Sequence, residues 1–164
     1  MPTATWIALA NYTVSGSTDS LVEFTNIPTT GYRDLVLVME YNPTTTETAF
    51  IRLNGDSGTN YNRVIMYGTG SSSGTSVANT SVDRMRPGTG TPNARHVLIA
   101  QFIDSNSTDR HKAVITRFDD ASNETAAAAF RWANTNAITS ITIGQDASGS
   151  FNIGSAFSLY GIAS

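Results

Sequence analysis

A chain of 164 residues with a formal net charge of −3 and only 14% charged side chains is long enough to bury one substantial core. It is too weakly basic to track a nucleic-acid backbone, so no nucleic-acid partner is expected. It has no cysteine, which excludes disulfide staples and thiolate chemistry. No apolar run approaches the ~18 residues of a membrane span and the first residues carry no basic leader, so neither a membrane partner nor a classical export signal is expected.

Short apolar runs alternate with turn clusters from end to end. Strands are predicted at 4–8, 20–24, 32–41, 48–53 and 62–67, then at 77–85, 96–103, 112–118, 126–132, 138–143 and 157–162. The run Leu35-Val36-Leu37-Val38-Met39 is continuously apolar, as in a central strand covered on both faces. Period-two patterning sets Phe157 and Leu159 against Ser158 and Tyr160, and Ile141 and Ile143 against Ser140 and Thr142. The segment 123–132 holds four alanines, the best helix formers. It is short and lies between strand-like runs, and Ala128, Phe130 and Trp132 line one face of a strand, so a strand is favoured. The stretches 68–79 and 87–93 read as extended loops. The pattern predicts an all-β chain: a single-domain antiparallel β-sandwich, jelly-roll-like, over 1–164.

Chemistry-bearing strings are few. Gly55-Asp56-Ser57-Gly58 spells the surroundings of a trypsin-like nucleophile, but both histidines, His96 and His111, follow it in the chain, and Thr59 replaces the next glycine. Asn54, Asp56 and Asn60 resemble calcium ligands, yet the run holds one acid and no closing glutamate. Asn54-Gly55 is a strong hairpin signal, so a turn is expected here, with no catalytic residue. Asp119 and Asp120 are adjacent and point to opposite faces of a strand; with Asp104 and Asp109 they are expected to cap turns. The two histidines have no third ligand at a metal spacing, and no phosphate-binding loop follows Gly68-Thr69-Gly70, so no metal or cofactor is expected. Tyr12, Tyr61, Tyr67 and Trp132 lie near polar loops and are the candidates for stacking on a glycan, against the ordinary role of such rings in a core.

Nine of the ten basic residues are arginine, Lys112 being the exception. Arginine is enriched at protein interfaces and lysine depleted, which suits a chain that lives in an assembly. Arg84 and Arg86 flank Met85 beside Pro87-Gly88, and with the 68–79 loop they form the expected assembly contact.

Five strings occur in order: FTNIP at 24–28, YRDLVL at 32–37, RLNGDSGTNY at 52–61, WANTNAITSIT at 132–142 and FSLYGI at 157–162. As a set they resemble a group of small tailed-bacteriophage virion proteins with an F-x-x-I-P start and an F-S-L-Y-G-I end. The resemblance implies a β-sandwich that decorates a capsid or forms part of a tail or fibre, with no catalytic residues to carry over. It further implies a chain assembled in the host cytoplasm and resident in the virion. Its partners would be further copies of itself, with a trimer favoured by analogy, and the major capsid or tail proteins. A receptor module binding a host glycan is the alternative.

Overall fold

The computed structural model describes residues 5–68, 75–119 and 125–163. Among them there is no helix. Twelve strands follow one another: β1 (Trp6–Thr13), β2 (Leu21–Phe24), β3 (Tyr32–Tyr41), β4 (Glu47–Leu53), β5 (Tyr61–Gly68), β6 (Thr75–Val82), β7 (Met85–Gly90), β8 (His96–Ile103), β9 (Lys112–Asp119), β10 (Thr125–Trp132), β11 (Ile141–Gln145) and β12 (Ala156–Ala163). They form two antiparallel sheets of unequal width. The large one runs β1-β12-β3-β8-β9-β10-β5-β6 and the small one β2-β11-β4-β7.

The expected β-sandwich is therefore present, and the alanine-rich segment is strand β10. It alternates exposed and buried from Thr125 to Trp132, with Ala126, Ala128, Phe130 and Trp132 facing inward. Its backbone pairs with β9 on one side and β5 on the other, so eight residues gain ladder bonds on both edges, which outweighs the helix propensity of alanine.

The core lies between the sheets. Trp132, Tyr41, Tyr61, Phe102, Phe151 and Phe157 are among its largest fully buried side chains. Close approach of the sheets needs a bare backbone at one point: a Cβ on Gly88 of β7 would fall 2.3 Å from the Phe118 ring of β9.

Several boundaries differ from expectation. The single strand expected over 77–85 is two strands in different sheets, β6 and β7, with Ser81 at φ 57° near the end of β6. The loop expected over 87–93 is strand as far as Gly90; Pro87 is accommodated because β7 is an edge strand of the small sheet. The 68–79 loop is strand β6 from Thr75 onward, and its residues 69–74, like Asp120, lie outside the described residues. The strand expected from 138 begins at Ile141. Before it, the Asn54 side chain takes the backbone: Oδ1 accepts Thr139 N–H at 2.8 Å and Ser140 N–H at 3.1 Å, and Nδ2 donates to Ala137 O at 2.8 Å.

Candidate interaction face

The G-D-S-G string is a turn built for structure. Asn54 and Gly55 both have positive φ, 52° and 66°, and Asp56 N–H closes the turn on Leu53 O at 2.9 Å. Ser57 is exposed, and among the described residues its side chain makes no hydrogen bond to an acid or a base. Asp56 is the organising residue. Its carboxylate accepts Gly58 N–H (2.9 Å), the Asn60 amide (2.9 and 3.1 Å) and Trp132 Nε1–H (2.6 Å). Burial raises its pKa, but these donors together outweigh burial and hold the carboxyl below its ordinary value. Both carboxylate oxygens of Asp56 that a cation would use already accept protein donors. Among the described residues no group of three or more His, Asp or Glu is placed to hold a metal ion.

Two of the four residues singled out for glycan stacking are inside. Tyr61 and Trp132 are 0% and 1% exposed and stack on each other with ring centroids 6.5 Å apart, so neither presents a face to a sugar. Tyr67 is half-buried, and Tyr12 is exposed with its hydroxyl given to Asp19.

In the expected assembly contact at 84–86 only the middle residue is inside, and Arg84 and Arg86 are half-buried. Met85 is fully buried and pairs with Ile51. Arg84 and Arg86 each bind both Asp83 and Asp146, at 2.6 to 3.3 Å, and Arg52 joins them on Asp83 at 3.0 Å. Arg84 also lies over the Phe50 ring at 4.6 Å. These guanidiniums brace the small sheet. The hydrogen bond from Arg84, with that of Arg52 and the charge of Arg86, outweighs burial and holds the Asp83 carboxyl well below the ordinary carboxylate range.

The remaining titratable groups are structural as well. His96 is buried between the rings of Tyr41 and Phe118 and reaches the backbone of Thr91 at 3.0 Å, while His111 is exposed. Asp104 and Asp109 are bridged by Arg110, which draws the Asp109 carboxyl down to about 2. Sequence reasoning missed Lys112. Its ammonium is fully buried and donates to the carbonyls of Ser107, Arg110 and Thr135 at 2.6, 3.1 and 3.1 Å, tying two loops together.

What is left is a surface. The small sheet covers one face of the large one, and among the described residues nothing covers the outer face. Outward positions of such a sheet are ordinarily polar. Here they include Val64 and Met66 on β5, Val97 and Ile99 on β8, Ile115 on β9, and Ala127 and Ala129 on β10, alongside Gln101, Arg117, Asp119 and Arg131; Met66 is 61% exposed and Ile115 48%. Register brings them together, because Ala127 lies opposite both Arg117 and Met66, and Ala129 opposite both Ile115 and Val64. The two alanines form the floor of a trough along β10, with taller side chains on either side. Two hollows lie along it: one of about 650 Å³ beside Met66, Ala127 and Arg117, and one of about 340 Å³ beside Val64, Ala129 and Arg131.

The chain matches no protein-family model and no curated protein.

Proposed function

We propose that this chain is a structural protein of a tailed-phage virion, of the capsid-decoration type, acting by protein–protein binding and not by catalysis. The observation that carries the proposal is the open apolar face of the large sheet, since contiguous exposed apolar surface marks an interaction site. The commitment of Asp56, Asp83, Asp104, Asp146 and His96 to holding backbone or other side chains is consistent with a binding role. The motif set FTNIP to FSLYGI supplies the virion setting, in the particle after assembly in the host cytoplasm, with the major capsid or tail proteins and further copies of the chain as partners. Closed symmetry is the ordinary form of such homo-oligomers, and a trimer is the form implied by the resemblance. With Tyr61 and Trp132 in the core, the glycan-receptor alternative retains Tyr12 and Tyr67 of its proposed platform.

The test is mass measurement of the purified protein alone and after incubation with capsids lacking it. Stoichiometric, saturable retention on the particle is expected. A protein that stays monomeric and is never retained on capsids or tails overturns the reading.

A further inference from the structure

Seven of the nine arginines are tied down. Arg33, Arg52, Arg84, Arg86, Arg95 and Arg110 hold carboxylates, and Arg63 donates to the Asn79 amide oxygen and the Arg86 carbonyl. Arg117 and Arg131 differ. Neither makes a hydrogen bond or ion pair with the described residues, and they sit one beside each hollow of the trough along β10. Arg117 is opposite Ala127, and Arg131 is four residues further along β10. A strand rise of about 3.4 Å and a strand spacing of about 4.8 Å put their Cα atoms roughly 14 Å apart.

We infer that this trough docks an apolar segment of another protein that carries two carboxylates about 14 Å apart, one for Arg117 and one for Arg131. The inference deepens the proposed function and rests on it for the setting. The reasoning is one of charge complementarity. A surface that covers Ile99, Ile115, Val64 and Met66 also removes water from both guanidiniums, and a desolvated cation without an acceptor is costly. The covering surface must therefore supply acceptors, and a carboxylate matches the planar guanidinium fork best. Among the described residues, a second copy of this face supplies only carboxylates that already accept a hydrogen bond, Glu40 being held by Arg95. Its Asp34 accepts Gln101 and the Asp104 N–H, and its Asp119 accepts the Val97 N–H. Two cations on a chain of net charge −3 also fall short of the basic cluster that holds an anionic membrane.

The test uses a short fluorescein-labelled peptide in which threonine alternates with valine and glutamate. Its two glutamates are four residues apart and so about 14 Å apart on one face when extended. A control peptide has lysine at both glutamate positions. Fluorescence anisotropy is expected to show the intact protein binding the glutamate peptide at least tenfold more tightly than the lysine peptide. The Arg117→Glu/Arg131→Glu variant is expected to reverse that preference, with its melting temperature unchanged. If that variant does not fold, Arg117→Gln/Arg131→Gln is read instead and is expected to abolish the preference. Equal binding of both peptides, binding of neither, or a preference that survives the arginine changes overturns the inference. So does a dimer in sedimentation that forms through this face, or co-sedimentation with phosphatidylglycerol vesicles that the arginine changes abolish. A protein never retained on particles that still selects the glutamate peptide through both arginines removes the virion setting and leaves the docking surface standing.

Discussion

Trp132 Nε1 donates to Asp56 Oδ2 at 2.6 Å, joining the last residue of β10 to a turn 76 positions earlier in the chain. The same turn receives Tyr61, whose hydroxyl accepts Leu53 N–H and donates to Asp56 O, both at 3.1 Å. The bond crosses from the large sheet to the turn that ends β4 of the small one, so a string that looks catalytic is a clasp between the two layers.

The clasp separates neighbouring residues by their roles. Ser57→Ala removes an exposed hydroxyl and is expected to change stability by no more than about 0.5 kcal/mol. Asp56→Ala leaves the indole N–H and Gly58 N–H without their acceptor and is expected to cost roughly 1–3 kcal/mol, more if the charge-assisted bonds dominate. Urea unfolding of the two variants checks the difference. An active-site serine reagent is expected to leave Ser57 unlabelled.

Leu159 is 1% exposed on β12, paired with Ala10 and Leu37 between two neighbouring strands. Leu159→Ala is expected to cost about 2–5 kcal/mol. A denaturation midpoint equal to that of the wild type would contradict its place in the core.

Lys112 replaces what a polar loop cluster commonly takes from a buried water or an ion. Lys112→Met keeps much of the volume but strands three carbonyls, and the expected cost is about 1–3 kcal/mol. The loss should be local first. The Ile138 amide, which bonds Ser105 O at 2.8 Å, is expected to exchange with solvent sooner than amides of β8 and β9, as read by hydrogen exchange.

Asp83 gives the fold an acid limb. Its folded pKa is depressed by Arg84 and Arg52. Its stabilising contribution is therefore complete above the unfolded value of about 3.9 and is lost as pH falls through the lower folded value. Asp83→Asn is expected to lower stability at neutral pH and to flatten the decline below about pH 4. Unfolding free energies measured from pH 6 down to the acid limit test this, and an unchanged acid slope would refute it.

Tyr61 gives an alkaline limb with the opposite sign. Burial raises its hydroxyl to about 12. The fold keeps the protonated form, so this contribution is intact below the unfolded value of about 10 and is lost as pH rises from there towards 12. Tyr61→Phe is expected to remove that alkaline decline while costing about 1–2 kcal/mol at neutral pH for the lost hydrogen bonds. Stability titrated above pH 9 reads both effects.

Most strands were legible because inward and outward residues alternate, as in Ala126 to Trp132. The break between β6 and β7 was not, because the run from Val77 to Met85 contains neither glycine nor proline, and Ser81 adopts positive φ without announcing it. Arg84 and Arg86 looked free for the same reason that the open face went unseen. Alternation says which residues share a face, but not which face a second sheet covers or which carboxylate lies across the gap. Asp146 is sixty positions from Arg86, and only the folded small sheet brings the two together. The burial of Tyr61 and Trp132 likewise depends on the Asp56 clasp, which no local pattern around either ring signals.

Strand β12 lies between β1 and β3 in the large sheet. On the ribosome, β1 has no neighbour until residues 156–163 emerge, and the apolar β3 presents an open edge for as long as they are missing. Sheet closure therefore comes late in the order of the strands, and until then the chain carries an open apolar edge of the kind that exposes folding intermediates to aggregation. A nascent chain stalled before Ala156 is the species that a cell would have to guard.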